Sequence, residues 1–314
     1  MRRIAATLVS AALVAASPAL AAYPERPIKL IVPWPAGGDT DSIYRSFQPH
    51  FQKHLGGTLV IANVAGASAT KGAKEAKEAP ADGYTILALH DSIHSTYYTG
   101  VADVSMNDFQ PICLVASTDS VITASSKTPW SDMKALLADA KKRPGQITVG
   151  ATLGSTSHFF PAIVERAAGV KFKYVSYEGT APRMTALLGG HIDLAESNLT
   201  QKSKVDAGQM KFLAIASEKR AAEMPTVPTL KELGIDVTYA INRGLVAPRG
   251  TPPDVMAKLE SACAAAAREP GFADAMKVQG TRVNYLGARQ YLEFLKKNDA
   301  LNKELAAQLG MLKR

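Results

Sequence analysis

The chain has 314 residues, of which 46% are hydrophobic and 20% charged, with a formal net charge of +8. This balance is typical of a packed globular protein and excludes disordered and fibrous chains. After the first twenty or so residues, no stretch is apolar for long enough to span a bilayer. No segment combines Lys and Arg with interleaved aromatics, so we expect no nucleic-acid partner.

The N-terminus has the three parts of a secretory signal. The basic start Met1-Arg2-Arg3 precedes the apolar run IAATLVSAALVAA, and Ala19-Leu20-Ala21 offers small residues for cleavage. We therefore predict a signal peptide over 1–21 and a mature protein in the periplasm. Cleavage removes two arginines, which lowers the formal charge from +8 to +6. A mildly basic surface favours anionic small molecules.

Short apolar runs alternate with amphipathic stretches along the mature chain. In chain order the predicted strands are IKLIVPW, TLVIAN, TILAL, PICLVAS, VITASS, ITVGA, FKYVSY, IDLAES and KFLAIAS. Predicted helices lie between them, at IYRSFQPHFQKHL, ATKGAKEAKEA, 131–145 with Ser131 as N-cap, about 157–168, and a stretch ending at Leu188. From Pro252 onward we predict three helices with little strand between them. This alternation predicts an α/β fold with mainly parallel sheets.

The two cysteines, Cys113 and Cys263, lie 150 positions apart. An oxidising compartment permits a disulfide between them, yet each also lies in an apolar segment that suits a small core residue. We expect two unpaired buried cysteines, with the disulfide as the alternative. The sequence contains no CxxC motif and no close pair of histidines with metal-ligand spacing, so we expect no metal and no cofactor.

Two strand–turn–helix segments are candidate anion cradles, because a helix N-terminus presents free N–H groups and a positive dipole end. The first is the turn of Ala36, Gly37, Gly38, Asp39 and Asp41, in which adjacent glycines let a ligand approach the backbone. The alternative is a tight turn with Asp39 or Thr40 as helix N-cap.

The second segment runs from Gly150 to His158 and includes Gly154, Ser155 and Thr156. Its hydroxyls and backbone donors suit a carboxylate. His158 either touches a ligand or has a structural role. Two cradles from separate halves of an α/β chain predict a cleft at the carboxyl ends of the strands.

These segments carry a resemblance to a known family. The stretches YPERPIKLIVPWPAGGDTD, VAGASATKGAKEAKEAPADGYTIL, LLADAKKRPGQITVGATLGSTSH, YEGTAPRMTALLGGHIDL and MPTVPTLKELGIDV with LVAPRGTPPDVMAKL follow one another in the order found in the Bug family. The chain resembles these periplasmic solute receptors of tripartite tricarboxylate transporters over nearly its whole mature length.

The resemblance implies a type II periplasmic-binding-protein fold with two α/β lobes around a ligand cleft. It places 23–121 with 240–314 in the first lobe and 122–239 in the second. It also implies a small carboxylate ligand, membrane transporter subunits as partners and a monomeric receptor. Family members hold a ligand carboxylate mostly through backbone groups and waters of the two loops, and Tyr177 and Gly179 match the family's Tyr-x-Gly turn.

The chain departs from the family pattern at several positions. Asp39 stands where a small neutral residue is usual, and Glu196 where apolar residues are common. In addition, Glu178 replaces a commonly basic residue, Thr152 a frequent glycine, and Arg243-Gly244 a frequent Trp-Gly pair. If Asp39 and Glu196 face the cleft, they would repel a second ligand carboxylate, which favours a zwitterion or a monocarboxylate. The alternative is that both acids are capped or face solvent.

Two other functions remain alternatives at this point. A serine hydrolase would use Ser155 or Ser157 with His158, but the sequence has no G-x-S-x-G elbow, and neighbouring Ser and His rarely have triad geometry. We therefore expect no catalytic residues. A receptor that senses its ligand for a signalling partner would have the same fold as a transport receptor.

Overall fold

The computed structural model describes residues 23–314, so the predicted signal peptide at 1–21 lies outside the described residues. Those residues contain eleven strands: β1 (Ile28–Val32), β2 (Leu59–Asn63), β3 (Thr85–His90), β4 (Phe109–Asp119), β5 (Val121–Ser125), β6 (Thr148–Ala151), β7 (Lys173–Ser176), β8 (Leu194–Ser197), β9 (Met210–Ile215), β10 (Ala240–Pro248) and β11 (Arg282–Gly287).

Ten α-helices lie in the same part of the chain: α1 (Asp39–Leu55), α2 (Thr70–Glu78), α3 (Ser92–Tyr98), α4 (Met133–Lys142), α5 (Thr156–Ala168), α6 (Thr180–Gly189), α7 (Lys202–Asp206), α8 (Pro253–Ala267), α9 (Pro270–Val278) and α10 (Ala288–Gln308). Within residues 23–314, none of the helices combines the length and the apolar character that crossing a membrane requires.

The strands form two sheets, each with its own covering helices. One has the order β11-β4-β10-β3-β1-β2 and the other the order β7-β6-β8-β5-β9. We name the six-stranded sheet with its helices lobe 1 and the five-stranded sheet with its helices lobe 2. The expected two-lobed α/β architecture is confirmed. The sheets draw on 28–119 with 240–287 and on 121–215, and the lobe boundaries inferred from the resemblance stay a prediction.

Both sheets are mixed, so the expectation of mainly parallel sheets is wrong. In lobe 1, β1 runs parallel to β2 and β3, whereas β10 is antiparallel to β3 and β4. In lobe 2, β6 runs parallel to β7 and β8, whereas β5 is antiparallel to β8 and β9. Two of the reversed strands carry the chain between the lobes, because β5 follows the outward crossing and β10 the return, and the third, β11, lies at the edge of the lobe 1 sheet.

The two crossings are hydrogen-bonded to each other. Ser120, between β4 and β5, donates from its backbone N–H to the Tyr239 carbonyl at 3.0 Å. Its own carbonyl accepts from Ala216 at 2.8 Å, and Tyr239 donates to Ala216 at 2.8 Å. The lobes are therefore joined by paired backbone, and this joint lies beside the cleft because Ser120 Oγ also donates to Glu196 Oε1 at 3.3 Å.

Each lobe has its own hydrophobic core. In lobe 1, Tyr44, Phe47 and Phe51 repeat along one face of α1, and Phe47 packs edge-on against Phe272 of α9 with ring centroids 5.1 Å apart. In lobe 2, Trp130, Phe160 and other buried apolar side chains fill the space between sheet and helices. The 3.6-residue apolar repeat of α1 explains why the sequence identifies this helix readily.

Two local predictions need correction. The N-cap of α4 is Asp132 and not Ser131, because Asp132 Oδ1 accepts from the Ala135 N–H at 2.8 Å. The three C-terminal helices include a strand, β11, between α9 and α10. It pairs with the edge of β4, which gives its mixed sequence RVNYLG a backbone partner.

The expectation of two unpaired cysteines is wrong as well. Cys113 of β4 and Cys263 of α8 form a disulfide, with Cα atoms 6.6 Å apart. Helix α8 packs directly over β4, and both cysteines lie in the same buried cluster of lobe 1. Tertiary packing of the C-terminal segment onto β4 brings the two positions together.

Candidate functional site

A cleft between the lobes brings together strand ends and first helical turns from both halves of the chain. Its free volume in this closed arrangement is about 30 Å³, so the two lobes lie close against each other here. The lining residues are Trp34, Gly38, Asp39, Thr40, His90, Thr152, Ser155, Thr156, Ser157, Gly179, Thr180, Arg183, Glu196, Ile241 and Arg243.

Three helix N-termini end at this cleft. They are those of α1 with Gly38 as N-cap, α5 with Ser155, and α6 with Gly179. No side chain caps α1 or α6, so their first N–H groups have no side-chain acceptor there. The positive ends of three helices favour an anion in this space.

The Asp39 carboxylate bridges the two lobes. It projects from the first turn of α1 and accepts hydrogen bonds from four side chains of lobe 2. Asn198 Nδ2 donates at 2.6 Å and Thr200 Oγ1 at 2.8 Å, while Thr180 Oγ1 and Gln201 Nε2 donate at 3.3 Å. All four donors are neutral, and together they occupy both oxygens of the Asp39 carboxylate.

Glu196 and Arg183 form a buried ion pair on the lobe 2 side. Arg183 Nη2 lies 2.7 Å from Glu196 Oε2, and Arg183 Nε donates to the Glu196 carbonyl at 3.2 Å. Burial raises the pKa of Glu196 to about 7, and the nearby Arg183 opposes this rise without cancelling it. Near neutral pH this carboxyl therefore exchanges between its charged and neutral forms.

Arg243 enters the cleft from β10 of lobe 1. Its side chain is almost entirely buried, at 2% exposure. Nε donates to Thr40 Oγ1 and Nη1 to Thr118 Oγ1, both at 3.0 Å. Burial lowers the pKa of this guanidinium, but an arginine starts so far above neutrality that it stays charged.

His90 and Trp34 form the floor on the lobe 1 side, with their rings edge to face at 5.2 Å. The Ser92 N–H donates to His90 Nδ1 at 3.1 Å, so the neutral ring carries its proton on Nε2. Burial and the charges of Arg243 and Arg183 hold the pKa of His90 well below its usual value. His90 therefore offers a neutral N–H donor.

Some predicted site residues hold the loops in place and do not line the cleft. The Asp41 carboxylate accepts from the Gly37 N–H at 2.9 Å, from Arg45 Nε at 2.8 Å and from Asn63 Nδ2 at 2.9 Å. It thereby fixes the first loop onto α1 and β2. Ala36 and Gly37 are exposed at the turn. Of this predicted group, Gly38 and Asp39 line the cleft.

In the second loop too, some predicted residues line the cleft and others hold the loop in place. Ser155 and Thr156 line the cleft, whereas His158 Nδ1 accepts from the Gly154 N–H at 3.2 Å and its ring packs against Tyr174. Tyr177 contributes its carbonyl, which accepts from Thr152 Oγ1 at 2.7 Å and orders the turn before Gly179. The cleft therefore brings together Gly38, Asp39, Ser155, Thr156, Gly179 and Glu196 of the predicted residues.

A strained segment of lobe 1 also touches lobe 2. Ala67, Ser68 and Ala69 have φ values of 50°, 57° and 76°, a conformation unfavourable for residues with a Cβ atom. In this arrangement the Ser68 N–H donates to Glu178 Oε2 at 3.2 Å, and Ser68 Oγ donates to the Leu153 carbonyl at 3.0 Å. Together with the Asp39 bridge, these contacts hold the two lobes closed over the cleft.

Nine of the residues that line the cleft are missing from the sequence-based set of site residues, among them Trp34, His90, Arg183 and Arg243. Arg183 lies one turn into α6, and His90 ends a strand without a glycine loop after it. Arg243 was noticeable in the sequence, because it stands where the Bug family often has a tryptophan. However, the sequence around it gave no reason to place it near a ligand.

Comparison with known protein families gives one match over most of the chain. The family described as "Tripartite tricarboxylate transporter family receptor" matches residues 43–311. A Cupriavidus necator protein, "UPF0065 protein in gbd 5'region", is 31% identical over 293 residues, which cover 93% of this chain and 90% of that protein.

Solved structures show the same architecture. The periplasmic binding protein BugD superposes with a TM-score of 0.88 at 32% identity, covering 93% of this chain and 100% of that one. An R. palustris protein solved with adipate superposes with a TM-score of 0.87 at 27% identity, covering 92% and 99% of the two chains.

Proposed function

Because the chain belongs to the receptor family of tripartite tricarboxylate transporters, we propose that it captures a small carboxylate-bearing ligand between its lobes in the periplasm. It then delivers this ligand to the membrane subunits of a transporter of the same type. The observation that carries the proposal is the meeting of three helix N-termini from both lobes at one small, closed cleft.

The electrostatics of the cleft support an anionic ligand. The helix N-termini and the guanidinium of Arg243 favour negative charge, and the hydroxyls of Ser155 and Thr156 suit carboxylate oxygens. The relative solved with adipate has the same fold at 27% identity, which supports a carboxylate in the corresponding space. Closure over the ligand would bury it and add contacts that an open form lacks.

The contacts of Ser155, Ser157 and His158 support a protein that binds its ligand without converting it. Ser157 Oγ accepts from the Thr152 N–H at 3.0 Å, and Ser155 Oγ donates to the Thr152 carbonyl at 2.8 Å. The nearby His158 is bonded to Gly154 instead of to either serine. A general base oriented toward a serine nucleophile is the feature a hydrolase would need here.

The proposal is tested by a thermal-shift screen of the mature protein against mono-, di- and tricarboxylates, amino acids and aromatic acids, followed by calorimetry of the hits. We expect a rise in Tm with at least one carboxylate, because a ligand that binds only the native state stabilises it. NMR of the mixture should show the ligand unchanged. A separate sample of the purified protein should be denatured before the screen, and the released small molecules should be analysed by mass spectrometry for a ligand carried over from expression. Consumption of the ligand, or no carboxylate bound by ligand-free protein, would contradict the proposal.

The pKa of Glu196 predicts how carboxylate binding depends on pH. An anion in the cleft favours the protonated form of Glu196, so binding takes up protons and affinity falls as pH rises through about 7. The groups that face this carboxyl are Arg183, Ser120, Asp39 and Arg243, and His90 stays neutral in this range.

We expect the dissociation constant to rise about 3- to 10-fold between pH 6 and pH 8. Glu196→Gln should bind with nearly constant affinity over this range, because its amide does not titrate but still accepts from Arg183. Calorimetric titrations at four pH values test this. An equally steep dependence in the variant would assign the titration to another group.

A further inference from the structure

Arg243 differs from the other cation of the cleft, Arg183, in having no carboxylate partner at ion-pair distance. The Asp39 oxygens are occupied by four neutral donors of lobe 2, and Glu196 is paired with Arg183. Arg243 donates to Thr40, to Thr118 and, at 3.4 Å, to the Ile241 carbonyl. Within residues 23–314, no carboxylate lies at ion-pair distance from it.

A buried guanidinium that is hydrogen-bonded only to neutral acceptors is costly, because the nearby Asp39, Glu196 and Asp91 attract it without contact and offset only part of the lost hydration. Arginine presents five donors, and the contacts above engage Nε and Nη1. No acceptor among the described residues is bonded to Nη2. Since Arg243 lines the cleft, this remaining edge is available to whatever occupies the space.

A second observation also indicates a missing acceptor. Trp34 lines the same cleft, and its Nε1–H is buried without a hydrogen-bond partner in the described part of the chain. The His90 Nε2–H, on the ring packed against Trp34, likewise has no acceptor among these residues. Buried donors are nearly always paired in native proteins, so unpaired ones around one cavity point to a ligand rich in acceptor atoms.

We propose that Arg243 forms a direct ion pair with the ligand carboxylate, and that the preferred ligand carries one carboxylate rather than two. This rests on the proposed function as a carboxylate receptor and adds the charge class of the ligand. One carboxylate satisfies the one unpaired cation among the cleft-lining residues. A second carboxylate would meet Arg183 already paired and would lie near the negative charges of Asp39 and Glu196.

The test compares ligands of equal length that differ in charge. Wild-type protein is titrated calorimetrically at pH 8 with butyrate, hexanoate and 4-methylbenzoate, with the matching dicarboxylates succinate, adipate and terephthalate, and with the primary amides of the three monoacids. We expect the best monocarboxylate to bind at least about 10-fold tighter than its dicarboxylate and about 30-fold tighter than its amide.

The same titrations with Arg243→Met separate pairing from packing. Loss of an ion pair lowers affinity for the acid by about 30-fold or more and abolishes the preference for acid over amide. Loss of packing alone would weaken acid and amide alike. Thermal unfolding of the ligand-free variant checks its fold. If Arg243→Met does not fold, Arg243→Lys takes its place and should show a reduced preference for acid over amide, because lysine lacks the planar fork.

These titrations distinguish failure of the ion-pair inference from failure of the proposed receptor function. A wild-type protein that prefers the dicarboxylates, or a variant that keeps the full preference for acid over amide, overturns this inference and leaves a carboxylate receptor standing. A wild-type protein that binds none of the acids, here or in the wider screen above, overturns the proposed function itself.

Discussion

Replacing Gly179 with alanine should weaken carboxylate binding by about 10- to 100-fold while leaving each lobe folded. Gly179 is the N-cap of α6, has φ +79°, and faces lobe 1 across the cleft. A Cβ atom there would lie 2.7 Å from Pro35 Cδ and 3.6 Å from the Trp34 ring. These neighbours belong to the opposite lobe, so the clash exists only when the cleft is closed.

Gly169 provides a control for alanine at a positive-φ glycine away from the cleft. It ends α5 with φ +63°, and a Cβ atom at that position meets no atom within 4 Å. Alanine costs about 1 kcal/mol of stability in the left-handed conformation of Gly169 and up to about 3 kcal/mol at Gly179, whose φ of +79° and ψ of −177° are almost exclusive to glycine, but only Gly179→Ala obstructs closure. Calorimetry should therefore show normal affinity for Gly169→Ala and weakened affinity for Gly179→Ala.

Small-angle scattering supplies an independent readout. With saturating ligand, the wild type and Gly169→Ala should contract, and Gly179→Ala should stay expanded. Gly154→Ala should behave like Gly179→Ala, because its Cβ atom would lie 2.8 Å from both Thr99 Oγ1 and Val101 Cγ2 of lobe 1. Normal affinity in both cleft variants would mean that ligand is held without this degree of closure.

Much of the architecture follows from local patterns in the sequence. Apolar runs bounded by glycine turns identify the parallel strands β1 and β6, and the repeat of Ile43, Phe47, Phe51 and Leu55 identifies α1. The strands that join the lobes are less visible. β10 contains Asn242, Arg243 and Gly244, residues uncommon in buried strands, and its place between β3 and β4 is decided by long-range pairing.

Some features of the site likewise follow from local sequence, and others depend on long-range contacts. Glycine turns at helix starts predict the backbone cradles, since strand–turn–helix geometry is local. The buried charges depend on topology, because Arg183 and Arg243 come from an α6 face and a β10 strand that meet only in the folded chain. Asp39 and Asp41 are only two residues apart in the first turn of α1. Their different directions around the helix send one to lobe 2 and the other back to its own loop.

Contacts between the lobes contribute to closure in addition to those that a ligand makes. Asp39 places a carboxylate of lobe 1 among four donors of lobe 2, the kind of contact a ligand carboxylate would make. The strained Ser68 segment adds two further contacts. The acceptor left for the ligand to supply is the one that Arg243 lacks, which is consistent with a singly charged molecule.

Removing the disulfide by Cys113→Ala with Cys263→Ala should lower the free energy of unfolding by about 2–5 kcal/mol. The bond closes a loop of 150 positions that includes all of lobe 2. Cross-linking the ends of so long a segment greatly restricts the unfolded chain, and the stabilisation grows with loop length. Urea unfolding of the double variant, beside wild type with and without reductant, measures the effect.

Ligand affinity should hardly change in the same variant, because neither cysteine lines the cleft and both lie beneath α8 in the core of lobe 1. Reduced wild type should unfold at the same urea concentration as the double variant, apart from the small loss of two buried sulfur atoms. Since both cysteines are fully buried, reduction should be slow until the protein unfolds. Unfolding of oxidised wild type at the variant's midpoint would show that the cross-link contributes little, and two free thiols in native periplasmic protein would show that it does not form.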